Sequence, residues 1–353
     1  MTIYDIAIVL IPLLALLLKP IGYNAIDNIE YKSTKKYLIL IGLILTLIPG
    51  LRHLSIGLDT FQYEDFCRYL PDNLIEALRQ SRFEGGYVLL NFILRNIGFV
   101  AVQIAVSASL IGLTLYLVRK YSPNIWFSCF LFVIYCFYYR CFNEMRQAVA
   151  LGIICFSFQY IVNKDLKRFV LCMLAAVLFH RTSIIFAPAV VLIYIDKIKW
   201  WLILGLMGGL IFLTMYATVV IQTFLSYFST DYSNMEKGAG GWGLFALQIL
   251  TFSLALLRLK YLRNDRINIA LLLLVGMAVI IFPICHINPM LFRLQDYYWI
   301  YMILLVPRII KTFKSSITRI GAMSLYSFIG YIFVFNNFFS EHAQTVPYVF
   351  FFE

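Results

Sequence analysis

Ten apolar segments, each of 15–23 residues, follow one another along this chain of 353 residues. An α-helix needs about 20 predominantly apolar residues to cross a bilayer, so each segment is a candidate membrane span. The segments cover residues 2–18, 37–51, 97–118, 124–139, 144–162, 200–222, 243–257, 267–285, 290–306 and 320–338. Only 13% of the residues are charged, against about 25% in soluble domains, which excludes a soluble enzyme or a nucleic-acid-binding protein. We therefore expect an all-α integral membrane protein in which residues 1–353 form a single polytopic domain.

A further apolar stretch, residues 169–195, is interrupted by His180 and Arg181. Lysines flank both of its ends, so we expect it to enter the membrane and return as a short, re-entrant-like helix pair. At 1.5 Å per residue its first arm would be only about 18 Å long, short of the roughly 30 Å hydrocarbon core. With this pair the chain has about 10–12 transmembrane segments. Irregular backbone at membrane depth must be buried in protein or line a cavity, so the apex is a candidate site.

Lysine predicts the orientation of the chain. Twelve of the thirteen lysines fall in polar stretches that alternate with stretches holding almost none, and Lys237 is the exception. By the positive-inside rule the Lys-rich side is cytoplasmic, and both termini then lie outside. Among the outward stretches, residues 50–86 are expected to contain a short amphipathic helix near residues 72–82. Residues 224–242, rich in Gly, Ser and Tyr, are expected to form a mobile loop.

Arginine is distributed differently from lysine. Nine of the sixteen arginines map to the outward half, so the positive charge there is nearly all guanidinium. These arginines are Arg52, Arg68, Arg79, Arg82, Arg95, Arg140, Arg146, Arg181 and Arg293. The planar fork of a guanidinium suits bidentate recognition of phosphate, which points to a phosphorylated lipid headgroup as ligand. Interfacial anchoring, or ion pairing with outward acids, is the alternative interpretation; Glu144 beside Arg140, for example, has the spacing of an ion-pair partner.

Four short outward stretches concentrate polar and ionisable side chains. They hold Arg52, Gly57, Asp59, Thr60 and Tyr63 in the first, Glu84 and Tyr87 in the second, Asn143, Arg146 and Gln147 in the third, and Phe179, His180 and Ser183 in the fourth. In a helix the three residues of the third stretch would share one face, because they are spaced at i, i+3 and i+4. Ionisable groups in membrane segments are functional candidates, although these lie near helix ends, where their cost is smaller.

Taken in order, and with a late Arg293-x3-Tyr297, these stretches resemble the EpsG family of Wzy-type polysaccharide polymerases. The resemblance extends over residues 49–300. One departure is Arg181, which follows His180 directly, so the resemblance leaves open which of the two carries the function. The second glycine of the Glu84-Gly85-Gly86-Tyr87 stretch is another departure, since it is expected to loosen the start of that helix.

The resemblance implies glycosyl transfer at the outer face of the bacterial cytoplasmic membrane. Such polymerases join oligosaccharide repeat units carried on undecaprenyl pyrophosphate, and they are similar to the GT-C class of multi-span glycosyltransferases. The partners implied are these lipid-linked oligosaccharides, the bilayer, and a chain-length regulator and a flippase of the same pathway, with no nucleic acid and no cofactor. We also expect no metal, since Asp59 and Glu84 have no nearby carboxylate at ligand spacing and the cysteines lack metal-ligand spacing.

The chemistry of the reaction assigns roles to the candidate residues. Negative charge develops on a pyrophosphate leaving group, and arginines placed in advance stabilise it; Arg146 and Arg293 are the first candidates and Arg52 the next. The acceptor hydroxyl needs a general base, for which Asp59 is the first choice. The remaining candidates are His180 and Glu84 as base, and Arg181, Asn143, Gln147, Tyr63, Tyr87, Ser183 and Tyr297 as substrate-binding residues.

Three other functions are compatible with part of this pattern. A flippase or transporter for the same lipid-linked sugars would also use broken helices and arginines that line a cavity, but the chain shows no internal repeat. A ligase of the O-antigen type, which moves a finished glycan to another acceptor, would use nearly the same chemistry. A membrane acyltransferase with His180 as base is a more distant alternative, because no partner acid lies at a suitable spacing.

Overall fold

The computed structural model describes residues 3–20, 22, 32–226, 241–287, 291–338 and 344–353. Seventeen α-helices and one 3-10 helix make up the described part of the chain, and the only β pairing there is an isolated bridge between Arg52 and Phe350. Most of the loop predicted at residues 224–242 lies outside the described residues.

The first half of the described chain contains ten α-helices. They are α1 (Ile3–Leu18), α2 (Lys32–Gly50), α3 (Thr60–Arg68), α4 (Leu74–Gln80), α5 (Gly85–Leu94), α6 (Phe99–Tyr121), α7 (Ile125–Ile134), α8 (Arg140–Asn143), α9 (Met145–Val162) and α10 (Leu166–Phe179). The 3-10 helix (Arg181–Tyr194) follows, and then α11 (Trp200–Ser226), α12 (Trp242–Leu257), α13 (Leu259–Leu262), α14 (Arg266–Ile287), α15 (Phe292–Trp299), α16 (Met302–Lys311) and α17 (Ser316–Asn337).

Six of these helices are long and apolar enough to cross a membrane, and five shorter apolar helices accompany them in the described part of the chain. The prediction of an all-α integral membrane protein is thus confirmed. Every predicted apolar segment contains a helix, but two segments are not continuous. α7 ends at Ile134 because Cys136 has the left-handed backbone conformation that a right-handed helix cannot include. The segment at 290–306 is divided into α15 and α16 by a turn at Ile300 and Tyr301.

Burial separates a central group of helices from a peripheral group. In α9 and α14 more than seven-tenths of the apolar span is buried inside the protein, against 6% in α11 and 17% in α17. Because the apolar side chains of α11 and α17 are exposed, they need lipid around them rather than water. α9 packs against α6 and α10, so the helix that carries Arg146 stands in the middle of the bundle.

The two ends of the bundle differ in composition. At one end the first residue of α14, Arg266, binds the last carbonyls of α9 and of the 3-10 helix, and Lys164 pairs with Asp196 nearby. We call this the Lys-rich end. The opposite end, where α5 and α9 begin and α10 finishes, is the Lys-poor end.

The stretch predicted as a helix pair has two arms of different kinds. α10 has 14 residues and is about 21 Å long, and it ends where His180 adopts an extended conformation. The returning arm is a 3-10 helix, also of 14 residues, whose larger rise of about 2.0 Å per residue makes it about 28 Å long. The return arm therefore nearly matches the hydrocarbon core, which 14 residues of α-helix would not.

A cap of short helices covers the Lys-poor end. Residues 50–86 contain α3 as well as α4, and α4 lies within the range predicted for a single amphipathic helix. The tail folds back onto the same end: Gln344 accepts a hydrogen bond from the backbone of Gly57, and Phe351 donates one to Leu51. The tail thereby fixes the loop that runs from α2 to α3.

Candidate functional site

Helix ends that are distant in sequence meet at the Lys-poor end. They are the starts of α5, α9 and α15 and the junction between α10 and the 3-10 helix. Gly86 permits part of this approach, since a β-carbon at that position would lie only 2.7 Å from the carbonyl oxygen of Leu178. Close packing therefore explains the second glycine of the Glu84-Gly85-Gly86 stretch, because any larger residue would push the start of α5 away from the end of α10.

Glu84 joins three of these elements through one carboxylate. Its Oε2 lies 2.5 Å from Nη1 of Arg146, and its Oε1 accepts a hydrogen bond of 3.1 Å from the backbone N–H of Arg181. Nδ1 of His180 is 3.5 Å from the same Oε1. Burial opposes the ionisation of Glu84, but His180 and Arg146 outweigh it and lower its pKa from 4.5 to about 2. Glu84 is therefore an ionised anchor for the residues around it.

A second carboxylate, Glu144, holds the other arginines of the site. Both of its oxygens lie within 2.9 Å of Nη1 of Arg140, and Oε1 is 2.8 Å from Nε of Arg293. Arg140 in turn places its Nε 2.7 Å from Oδ2 of Asp296. The side chain of Gln147 donates to the backbone carbonyl of Arg293 at 2.9 Å, which ties α9 to the start of α15.

Arg140 and Asp296 belong to this cluster although the sequence motifs do not include them, and Glu144 enters the sequence analysis only as an ion-pair partner of Arg140. The pairing of Arg140 with Glu144 follows from their i, i+4 spacing and is present. Asp296 gives one local signal, since it lies on the same face of α15 as Arg293, three residues earlier. Its contact with Arg140 joins residues 156 positions apart, which no local pattern predicts.

Asp59 stands at the edge of this cluster, directly before α3. Its half-buried side chain makes no capping hydrogen bond, and its carboxyl is exposed to the charges of Arg293, Glu144 and Arg146. Burial raises the pKa of Asp59 above its ordinary value; the two arginines lower it and Glu144 raises it, and the net shift is upward. Asp59 is therefore a carboxylate that binds a proton more readily than an exposed aspartate does.

The loop before Asp59 requires a glycine at position 57. Gly57 has φ +96°, and a β-carbon there would lie 2.7 Å from the carbonyl oxygen of Phe142. The side-chain oxygen of Asn143 accepts a 2.8 Å hydrogen bond from the next residue, Leu58. The predicted site residue Asn143 therefore holds the loop of Asp59 in place and leaves only part of its amide for a ligand.

The structure does not bring Arg52 into the cluster. Its side chain is fully buried, and its guanidinium donates to the backbone carbonyls of Pro49, Ile56 and Phe142. With all its contacts inside the protein, Arg52 has no path to a phosphate. This placement differs from the expectation of a phosphate clamp because the loop after α2 needs a buried donor for its own carbonyls.

The aromatic residues predicted to bind the substrate are buried in the protein rather than exposed to a ligand. Tyr63, Tyr87 and Tyr297 are each at most 5% exposed, so their ring faces are covered by protein. Tyr63 packs against Tyr87 and Phe83, with ring centres 5.5 and 5.7 Å apart. The guanidinium carbon of Arg146 lies 4.6 Å from the centre of the Phe83 ring, which orients that arginine in the cluster.

Arg181 and Ser183 complete the set of predicted residues at the apex. The side chain of Arg181 is exposed and forms no ion pair with the described residues. Ser183 is fully buried, and its hydroxyl has no hydrogen-bond partner in the described part of the chain. Within the described residues no group of three or more His, Cys, Asp or Glu side chains has an arrangement that could hold a metal ion.

A comparison with family models decides the relationship of the chain. The model of the EpsG family matches residues 35–350, nearly the whole chain and all of the site described above. The chain belongs to the EpsG family, a family of Wzy-type polymerases. The comparisons with curated proteins and with solved structures find no match, so the likeness to GT-C glycosyltransferases stays a prediction.

Proposed function

We propose that this EpsG-family protein is a polysaccharide polymerase that joins oligosaccharide repeat units carried on undecaprenyl pyrophosphate. The reaction takes place at the outer face of the bacterial cytoplasmic membrane, with the Lys-poor end and both termini outside. The positive-inside rule supports this orientation, because lysines gather at the opposite end of the bundle.

The observation that carries the proposal is the pair of carboxylates beside Asp59, Glu84 and Glu144. They hold Arg146 and Arg293 by ion pairs and Arg181 by its backbone N–H. Arg293 places its Nε against Glu144, and its two terminal nitrogens donate no hydrogen bond to a described residue. Arg181 likewise has a guanidinium outside any described ion pair. These two side chains have donors available for a pyrophosphate, while the carboxylates hold the cluster in place before the substrate arrives.

In the proposed reaction a hydroxyl of the acceptor unit attacks the anomeric carbon of the donor chain. The new glycosidic C–O bond forms as the bond to the carrier pyrophosphate breaks, and the pyrophosphate leaves with the bonding electron pair. The proton of the acceptor hydroxyl goes to Asp59. Arg146, Arg181 and Arg293 stabilise the negative charge that develops on the leaving group.

Asp59 is favoured over Glu84 as the general base by their surroundings. A carboxylate whose pKa is lowered to about 2 holds a proton poorly, and Glu84 is already bound by Arg146 and the backbone of Arg181. Asp59 has a raised pKa and a side chain without a capping bond, which suits proton transfer. His180 then serves to position Glu84, its neighbour at 3.5 Å.

Deletion of the gene, followed by gel analysis of the surface polysaccharide, tests the proposal. If the protein is a polymerase, single repeat units should still reach the surface of the deletion strain, and the ladder of longer chains should disappear. Complementation with the gene should restore the ladder. Full-length polymer that accumulates on the carrier lipid would indicate a ligase instead. Repeat units trapped on the cytoplasmic side would indicate a flippase.

A further inference from the structure

A polar cavity of about 420 Å³ lies in the cap over the Lys-poor end, apart from the cluster of Glu84 and Glu144. It opens between α3 and the start of α6, and the side chains that matter for its chemistry are Glu64, Arg68, Asp72, Arg95, Asn96 and Phe99. Sites for small ligands have volumes of about 300–1,000 Å³, so this cavity is large enough to hold one.

The charges in this cavity are balanced in pairs. Arg68 lies 2.9 Å from Glu64, and Arg95 lies 2.9 Å from Asp72. Arg95 also donates to the backbone carbonyls of Leu70 and of Pro71, so its position is fixed. Two carboxylates balance the two guanidiniums of the cavity, whereas the cluster also contains Arg181, whose guanidinium forms no ion pair with a described residue. The cavity therefore favours a neutral, polar ligand over an anion.

We propose that this cavity binds sugar units of the glycan, as a subsite apart from the reacting bond. Sugar hydroxyls are both donors and acceptors, and the lining offers both partners: guanidinium and amide N–H groups donate, and carboxylate and amide oxygens accept. Phe99 adds an apolar surface, against which the C–H face of a sugar ring packs. The inference rests on the proposed function, because it assigns the ligand of the same reaction.

One short helix connects the cavity to the cluster. α3 begins directly after Asp59 and carries Tyr63, which lies close enough to Arg146 to feel its charge, and its last turns carry Glu64 and Arg68. The helix is about 13 Å long, a distance that an oligosaccharide of several sugars spans. Sugars bound in the cavity would thus hold the glycan while its end reacts near Asp59.

Binding of a lipid-free oligosaccharide to the purified full-length protein tests this subsite. The probe is the repeat-unit oligosaccharide released by hydrolysis from the lipid-linked units that accumulate in the deletion strain. Asn96→Trp fills the cavity with an indole ring, and Glu64→Ala with Arg68→Ala removes one ion pair without changing the net charge. Arg79→Ala is the matched control, since Arg79 is an exposed arginine of the same cap outside the cavity lining.

Both cavity variants should bind the oligosaccharide roughly tenfold more weakly than the wild type, the loss expected for one or two hydrogen bonds. Arg79→Ala should bind as the wild type does, and inorganic pyrophosphate should not displace the oligosaccharide. With lipid-linked units as substrate, the cavity variants should raise KM by a similar factor and keep kcat within about twofold.

Wild-type binding and wild-type KM in both cavity variants would overturn the subsite and leave the proposed function intact. Displacement of the oligosaccharide by pyrophosphate would also overturn it, because the ligand site would then be the arginine cluster. A wild-type protein that forms no polymer from lipid-linked units would instead refute the proposed function. Thermal unfolding of each variant serves to confirm that it is folded.

Discussion

The two ends of the bundle use arginine for different purposes. At the Lys-rich end Arg266 donates to five backbone carbonyls, those of Ile161, Val162, Leu192, Ile193 and Ile195, and also pairs with Asp196. At the Lys-poor end Arg146 and Arg293 bind the carboxylates of Glu84 and Glu144. The guanidinium of Arg266 closes helix ends, whereas Arg146 and Arg293 are held by carboxylates close to the side chain of Asp59.

This difference shows that the number of arginines at a membrane face does not by itself identify a phosphate site. The C-terminal carbonyls of a helix have no partner within the helix, and the five N–H donors of one arginine can satisfy several of them. Arg52 has the same kind of contacts as Arg266, although it lies at the Lys-poor end. An arginine whose guanidinium is used up by backbone carbonyls, as in Arg52 and Arg266, is structural whichever end of the bundle it lies at.

The largest effect is expected from Arg146→Ala. Removal of one preorganised donor to a developing negative charge typically costs about 100- to 1,000-fold in rate, and this change also leaves Glu84 without its closest partner. Polymer on a surface-polysaccharide gel should disappear at normal levels of membrane-inserted protein. A full ladder from this variant would show that Arg146 is not part of the catalytic cluster.

The next effect is expected from Arg266→Ala and Arg52→Lys, and it falls on folding rather than on catalysis. Each buried carbonyl left without a donor costs about 1–3 kcal/mol, so the yield of folded protein should fall severalfold for both variants. For Arg266→Ala the activity per folded molecule should stay within about twofold of wild type, measured with purified protein. A normal yield with lost activity would reverse the assignment of structural and catalytic arginines.

Much of this fold can be predicted from the sequence, because the patterns that indicate helices and their ends are local. Apolar length predicts the helices, and the interruption at His180 and Arg181 predicts where the chain turns back. The sequence does not predict that the return arm is a 3-10 helix. Its apolar residues are compatible with an α-helix as well, and the longer rise of the 3-10 form matters only for the membrane depth that the arm must cross. The break after Ile134 depends likewise on the conformation of Cys136, which no apolar count reveals.

The candidate site was predictable only in part, for a similar reason. Its motifs give the residues that meet, such as Glu84, Arg146 and His180, because each motif opens or closes a helix at the same end. Which residue pairs with which depends on packing over long separations, as for Arg140 with Asp296. The burial of Arg52 follows from the shape of a loop, which residue type does not indicate.

A smaller effect concerns pH and separates Asp59 from Glu84. If Asp59 is the base, kcat/KM falls as pH drops through its pKa, and burial places that pKa above 3.8. Glu84, with a pKa lowered to about 2, stays ionised over this range; its contribution to stability is present above its unfolded pKa of 4.5 and is lost only as pH falls toward 2. The acid limb of the wild-type profile should therefore persist in His180→Gln.

The unfolding temperature of Asp59→Asn is a second test of whether Asp59 or another residue is the base. A raised pKa means that ionised Asp59 destabilises the folded protein above that pKa, so the amide should raise the unfolding temperature slightly while it removes activity. An acid limb that disappears in His180→Gln, together with an active Asp59→Asn, would identify the histidine as the base.

Removal of metal ions is expected to leave the polymerisation rate unchanged, the smallest effect in this series. The proposed reaction uses arginines for the leaving group and a carboxylate for the proton, so excess chelator should leave the polymerisation rate of purified protein unchanged. A rate that falls with chelator and returns with Mg²⁺ or Mn²⁺ would assign part of the charge stabilisation to a metal ion.

Polymerisation by the purified protein in liposomes tests the polymerase function and the role of Asp59 together. The substrate is the lipid-linked repeat unit extracted from the deletion strain, and the products are the glycan ladder and free undecaprenyl pyrophosphate. We expect the ladder to grow and one carrier pyrophosphate to be released for each bond formed, with neither product from Asp59→Asn. Transport of intact units across the bilayer without any joined product would contradict this expectation.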